Sequence, residues 1–280
     1  MLSGRERRSL RVACVQTHGG AADKQARIER VRELCDGLTA VDLLVLPELW
    51  ATGYFNFERY AEDAEPLGDG PAQTALRELA LQTGAWVVGG SIVARASDGA
   101  LSNATPIVSP TGEVVASYRK RHLFGHGSQE RELLRAGATS TSFTAGDTRV
   151  GLALCYDLRF PEAFGDYVAD GCELYVVPAA WPAPRADHWE KLLAARAIEG
   201  QAFAIGCNGC GEEQGVALGG RSSIFDPWGR GLGQCSATEE DVVVAELDLS
   251  ALEEYREAFP PATERRLAAQ GAIADASGAR

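Results

Sequence analysis

Cys155 stands where a buried strand breaks off. The run from Arg149 to Glu162 reads Arg-Val-Gly-Leu-Ala-Leu-Cys-Tyr-Asp-Leu-Arg-Phe-Pro-Glu. Val150 to Leu154 is apolar or glycine, as in a strand covered on both faces. A thiol, a phenol, a carboxylate and a guanidinium then follow within a few positions, and Pro161 suits the first turn of a helix. In α/β sheets catalytic groups gather at strand exits, so Cys155 is a candidate nucleophile. A thiol attacks well after losing its proton, which calls for a base or a cation nearby. Glu48 closes a second buried run, Asp42-Leu-Leu-Val-Leu-Pro-Glu48, and is a candidate base. Lys120 sits in the basic segment Tyr118-Arg-Lys-Arg-His-Leu-Phe124 and could stabilise a thiolate or an oxyanion.

These groups need strands and helices to bring them together. Leu10 to Gln16, Asp42 to Pro47, Ala85 to Ala94, Ala104 to Ser109 and Glu113 to Arg119 read as strands, the last two joined by the turn Pro110-Thr-Gly112. Ala22 to Leu38 reads as a helix with Ile28, Val31, Cys35 and Leu38 on one face. Pro71 to Thr83 is a second helix, with Asp69 upstream, proline at its start and Gly84 as its stop. The second half repeats the style. Val150 to Cys155, Glu173 to Pro178, Ala202 to Asn208 and Val242 to Leu247 read as strands. Pro161 to Ala169, Ala186 to Gly200 and Ser250 to Phe259 read as helices, the last capped by Ser250, and a second hairpin turns at Asp226-Pro-Trp-Gly229. Leu44-Val-Leu-Pro-Glu-Leu-Trp50 echoes Tyr175-Val-Val-Pro-Ala-Ala-Trp181. A β–α–β unit with a hairpin, used twice, gives two sheets packed face to face. Pattern alone does not choose this over a doubly wound sheet.

Three segments resemble the signatures of the nitrilase, or carbon–nitrogen hydrolase, superfamily: Leu46-Pro47-Glu48, then Tyr118-Arg119-Lys120 with His122-Leu123-Phe124, then Cys155-Tyr156-Asp157 with Arg159-Phe160-Pro161-Glu162. Each is weak alone, but their order and spacing together are specific. The resemblance runs from about Val12 to about Leu249. It implies an α/β fold, a four-layer α-β-β-α sandwich, with Glu48 as base, Lys120 as oxyanion stabiliser and Cys155 as nucleophile. It also implies a second glutamate between lysine and cysteine. Glu130, seven residues before Gly137, is the match, and Glu132 is its rival. The string Cys-Tyr-Asp-x-Arg-Phe-Pro-Glu looks like the amidase branch that includes ω-amidases. The expected activity is hydrolysis of a small aliphatic amide or ω-amide through a cysteine thioester. A carbamoyl hydrolase and a nitrilase are the alternatives. The Tyr156 N–H is the natural second oxyanion donor, Arg159 a candidate partner for a substrate carboxylate, and Trp181 a candidate pocket wall.

The bulk composition excludes several classes. A net charge of −12 and a pI near 4.9 argue against nucleic acid or an anionic membrane as partner. No run approaches the ~18 apolar residues of a membrane span. The charged segment Met1 to Leu10 is not followed by an apolar stretch of signal-peptide length, so a cytoplasmic protein is expected. Cys207-Asn-Gly-Cys210 has the spacing of half a zinc site, but no second pair or later histidine follows. The seven cysteines read as free buried thiols, and neither metal nor cofactor is expected. The lack of a Gly-x-Ser-x-Gly elbow counts against a serine α/β-hydrolase. The expected organisation is a flexible extension at 1–9, one catalytic domain at 10–270 and a loose tail at 271–280. The resemblance adds a homodimer or larger homo-oligomer.

Overall fold

The computed structural model describes residues 7–20 and 23–269. The expected tail at 271–280 lies outside the described residues, as do residues 1–6 of the expected N-terminal extension. The described end of that extension is tied down. Arg8 donates to Asp147 Oδ2 at 2.7 Å, to Glu173 Oε1 at 3.1 Å and to Glu253.

The strands are β1 (Ser9–Gln16), β2 (Leu43–Val45), β3 (Glu65–Pro66), β4 (Trp86–Val88), β5 (Ile92–Arg95), β6 (Leu101–Val108), β7 (Val114–Arg119), β8 (Ser142–Ala145), β9 (Thr148–Leu152), β10 (Leu174–Ala179), β11 (Phe203–Asn208), β12 (Glu212–Glu213), β13 (Val216–Ala217), β14 (Ser223–Phe225), β15 (Gly231–Gln234) and β16 (Asp241–Asp248). The helices are α1 (Lys24–Cys35), α2 (Tyr60–Asp63), α3 (Pro71–Thr83), α4 (Glu130–Leu133), α5 (Pro161–Ala169), α6 (Ala186–Gly200), α7 (Leu249–Ala258) and α8 (Pro261–Ala269).

One sheet runs β16-β1-β2-β4-β6-β5-β3, with β7 pairing with β6, and the other runs β15-β14-β11-β10-β9-β8. Strand periodicity of two explains the layering. Val12, Cys14, Leu43 and Val45 point inward and meet Val150, Leu152, Val176 and Ile205 of the second sheet. Their neighbours Ala13, Val15, Leu44 and Leu46 point outward, onto Ile28 and Val31 of α1 and Leu76 and Leu79 of α3. On the far side Tyr175 and Val177 pack under Phe164 and Tyr167 of α5 and Trp189 and Leu193 of α6. Burial on both faces is why these strands read as unbroken apolar runs. The result is a four-layer α-β-β-α sandwich. It resolves the choice that pattern alone left open.

Three local expectations are corrected. The run from Ala85 to Ala94 is two strands, not one, because Gly89-Gly90 turns the chain. Gly90 has φ +60° and a Cβ there would collide with the Pro47 carbonyl oxygen, so glycine is required beside Glu48. Asp69 does not cap α3: Glu65 accepts from the Ala72 and Gln73 amides at 2.9 and 3.3 Å. Asp248, not Ser250, caps α7, accepting from Ala251 N at 3.0 Å. The Ser250 hydroxyl instead accepts from Arg8 N. Strand β8 and helix α8 carried no sequence signal strong enough to be read. Strand β6 starts at Leu101, earlier than expected, and so takes in Asn103.

Candidate active site

Strands β2 and β10 end side by side, one from each sheet. The Glu48 amide donates to the Ala179 carbonyl at 3.3 Å, and the Ala180 amide donates to Glu48 Oε2 at 3.1 Å. The residue after Glu48, Leu49, has φ +47°, and its amide donates to Ser91 Oγ at 2.9 Å. The carboxylate is therefore fixed from both its chain neighbours and the facing sheet.

Lys120 follows β7. Its amide donates to Asn103 O at 2.9 Å, and its carbonyl accepts from Gly137 N at 2.8 Å. A side chain at Gly137 would strike the Arg119 carbonyl, so the returning loop can close on the lysine only with glycine there. The ammonium is wholly buried and donates to Glu48 Oε1 at 2.7 Å and to both Glu130 oxygens at 2.9 Å. Glu130 also accepts from Phe124 N at 2.7 Å and from the Tyr54 hydroxyl at 3.1 Å. Glu130 thus stands at the lysine, whereas Glu132 is exposed.

Asn103 was not singled out in the sequence. Its Nδ2 donates to Glu48 Oε1 at 2.8 Å and to Glu130 Oε1 at 2.9 Å. A single polar residue at the start of a strand gives no such signal by itself. Its Oδ1 is buried without a partner. A flipped amide would set that acceptor against two carboxylates, so the orientation is dictated by the glutamates.

Cys155 opens the short 3-10 turn Cys155–Arg159 with φ +43°, a left-handed conformation that costs about 1–2 kcal/mol for a residue other than glycine. Asp157 holds this turn. It is fully buried; Oδ2 accepts from Leu154 N at 2.8 Å and the Tyr118 hydroxyl at 2.7 Å, and Oδ1 accepts from His122 N at 2.9 Å. One carboxylate therefore ties the Cys155 turn to residues flanking Lys120 on either side.

Burial raises the Cys155 thiol well above its usual pKa, and the adjacent Glu48 carboxylate pushes it further the same way. Glu48 is also raised, by burial first; Lys120 opposes that shift and Glu130 adds to it. For Lys120 burial works against the charged form, but Glu130 and Glu48 outweigh it and the ammonium is held well above its ordinary value. The arrangement favours a neutral thiol beside a carboxyl group and a lysine held in its charged form.

The site opens into a pocket of about 330 Å³, part of it continuous with solvent. Tyr54, Phe55, Phe124, Tyr156 and Trp181 line it with Cys155, and Arg159 and Arg185 stand among them. Trp181 is both wall and packing residue, 5.5 Å centroid to centroid from Trp189. Arg159 pairs with neither Asp157 nor Glu162 among the described contacts; it reaches His188 Nδ1 at 3.3 Å. Desolvation and the nearby Arg185 hold its pKa below the usual arginine value. Tyr54 and Arg185 were missing from the sequence reading, since both sit in loops whose course depends on the fold. A buried Arg27–Glu213 pair at 3.1 Å braces the Tyr54 loop, with Glu213 also accepting from Phe55 N at 3.3 Å.

All seven cysteines are buried and unpaired, and Cys207 donates to Val15 O and Val45 O between the sheets. Among the described residues no cluster of three or more His, Cys, Asp or Glu could hold a metal. No described helix is long and apolar enough to cross a membrane.

The carbon–nitrogen hydrolase family model matches residues 11–257. The chain belongs to the carbon–nitrogen hydrolase family. It is 38% identical over 268 residues to a 2-oxoglutaramate amidase of Paenarthrobacter nicotinovorans, covering 93% of this chain and 90% of that protein. It is 39% identical over 222 residues to a 2-oxoglutaramate amidase of Bacillus subtilis, covering 78% and 83%. Among solved structures it resembles a CN-hydrolase superfamily protein of Xanthomonas campestris that carries an arsenic adduct in its active site. That match has a TM-score of 0.84 and 29% identity, covering 92% of this chain and 97% of the other. This carbon–nitrogen hydrolase is an amide hydrolase acting on C–N bonds other than peptide bonds.

Proposed function

We propose that the protein is an ω-amidase that hydrolyses the terminal amide of a small dicarboxylic acid monoamide, of the 2-oxoglutaramate type, through a Cys155 thioester. The observation carrying this reading is the Glu48 carboxylate held against Lys120 Nζ at 2.7 Å and electrostatically coupled to the Cys155 thiol. Because the thiol rests protonated, attack is concerted with transfer of its proton to Glu48. Sulfur adds to the amide carbon, and the oxyanion is held by Lys120 and the Tyr156 N–H. Glu48 returns the proton to the departing nitrogen, releasing ammonia and leaving the thioester. Water, deprotonated by Glu48, then attacks the thioester. The acid leaves and the thiol regains a proton. Glu130 keeps Lys120 charged and oriented, while Arg159 takes the substrate carboxylate beside Trp181. The relatives named as 2-oxoglutaramate amidases support this choice of substrate class. The reading includes a cytoplasmic homo-oligomer: seven buried thiols suit a reducing compartment, and Ile198, Trp228 and Phe259 are exposed apolar side chains that a second copy would cover.

The test is ammonia release from 2-oxoglutaramate, glutaramate, propionamide, N-carbamoyl-β-alanine and a simple nitrile, with wild type and Cys155→Ala. Release from the ω-amide acids by wild type alone is expected. Preferential turnover of the carbamoyl substrate or the nitrile would move the protein to another branch of the family.

A further inference from the structure

Two cations at the pocket remain once Glu48, Lys120, Glu130 and Cys155 are accounted for. Arg159 lies over the Trp181 ring, its Cζ 4.7 Å from the centroid, and Arg185 lies by Phe124 at 5.9 Å. Among the described residues neither guanidinium pairs with a carboxylate. Elsewhere the chain supplies acids to its arginines freely: Arg30, Arg32, Arg59, Arg149 and Arg221 all form ion pairs. Two arginines left together without an acid, in a protein of net charge −12, repel one another until an anion lies between them.

The placement of Arg185 is not accidental to the loop. It closes the short 3-10 turn Ala183–Arg185 that leads into α6, and its carbonyl accepts from Trp181 Nε1 at 2.8 Å. The ring under Arg159 and the backbone of Arg185 therefore form one unit. The Trp181 amide is fixed in turn by Asn208 Oδ1 at 2.6 Å.

We infer that Arg185 is a specificity-determining residue, which with Arg159 forms a two-guanidinium subsite for the carboxylate at the end of the substrate remote from the scissile amide. This rests on the ω-amidase reading and deepens it. The pocket then carries opposite charge at its two ends. Its catalytic end holds two carboxylates and one ammonium, which repel a substrate carboxylate, and its other end holds two cations, which attract it. The substrate is thereby oriented with its amide at Cys155. Hydrolysis creates a second carboxylate beside Glu48, and the same repulsion favours departure of the dicarboxylate product. Arginine is suited to this because its planar fork meets both carboxylate oxygens.

The experiment compares wild type, Arg185→Ala, Arg185→Lys and Arg159→Ala on glutaramate and on propionamide. Binding of the product glutarate is measured by calorimetry in parallel, and thermal melting serves as the folding control. Arg185→Ala should raise KM for glutaramate and weaken glutarate binding roughly ten- to a hundred-fold, with little change in kcat and a much smaller loss on propionamide. Arg185→Lys should recover part of the loss. Equal losses on both amides would show a structural role and overturn the inference, as would unchanged glutarate binding. If the wild type itself shows no preference for glutaramate over propionamide and no affinity for glutarate, the ω-amide reading fails. If that preference exists and survives in Arg185→Ala, the share given to Arg185 fails alone.

Discussion

The Glu48 amide donates to the Ala179 carbonyl, and the amide that follows, Ala180, returns a hydrogen bond to the Glu48 carboxylate. Glu48 and Ala179 are equivalent positions in the two echoing segments, each directly after Val-Pro or Leu-Pro at a strand end. The internal repeat is thus closed on itself at the base. The two sheets meet there through one main-chain bond and one bond to Glu48 Oε2, while Glu48 Oε1 faces Lys120.

Cys155 carries a backbone cost as well as the proposed chemistry. Cys155→Ala should lower turnover at least about a thousand-fold while leaving the fold intact. Cys155→Gly should be equally inactive, yet more stable than the alanine variant by about 0.5–1 kcal/mol, because glycine accepts φ +43° without strain. Chemical denaturation of the two variants checks this. An alanine variant as stable as the glycine one would mean that the turn is not strained.

The pH dependence follows from Glu48. A base must be ionised, and burial followed by Glu130 raises the Glu48 pKa above its ordinary 4.5. Activity should therefore fall as pH drops through that raised value, on a limb displaced upward from an ordinary glutamate. Glu130→Gln removes one negative charge. Its loss lowers the Glu48 pKa and also removes support for the Lys120 ammonium. Both limbs of the kcat/KM profile should move to lower pH. A pH series of initial rates reads this directly, and an unmoved acid limb would contradict the coupling.

Among the described residues Lys120 is the one ammonium between two buried carboxylates. Lys120→Met should destabilise the protein by about 3–5 kcal/mol, because Glu48 and Glu130 then face one another without a cation. Adding Glu130→Gln to Lys120→Met should restore much of the stability and none of the activity. Melting curves and ammonia assays on the single and double variants separate the two effects. Recovery of activity in the double variant would remove Lys120 from the proposed oxyanion site.

Asp157 joins the Cys155 turn to the lysine strand. Asp157→Asn replaces an acceptor oxygen with a donor and must forfeit bonds from Leu154 N and the Tyr118 hydroxyl, or from His122 N. The expected cost is about 1–3 kcal/mol of stability, with a fall in kcat larger than any change in KM. Tyr118→Phe, which loses one bond of that set, should show a smaller loss of the same kind. Equal KM effects in both variants would place Asp157 outside the nucleophile's support.

The sequence by itself determined the three candidate reactive groups and the elements that end beside them. Cys155 and Glu48 are legible because each follows an apolar run whose abrupt end in polar residues marks a strand exit, and Lys120 because it lies in a basic segment that follows a β-like run. The motifs around them also carry their own local geometry: Pro161 at the start of α5, and Leu46-Pro47 before Glu48. The face-to-face packing of the sheets was foreshadowed by the echo, but only the tertiary structure decided it, since alternating apolar residues say which faces are buried and not against what. The same limit hid Asn103, Tyr54 and Arg185. A lone amide, a loop phenol and a loop guanidinium have no periodic context, and their roles arise from distances of about 3 to 6 Å across segments far apart in the chain. It also hid the cap at Glu65, where a carboxylate reached helix amides from outside the positions that local spacing marks, whereas Asp248 stands at the ordinary capping position directly before α7. Local sequence fixes local backbone. Which charges face one another is set by how the two sheets close.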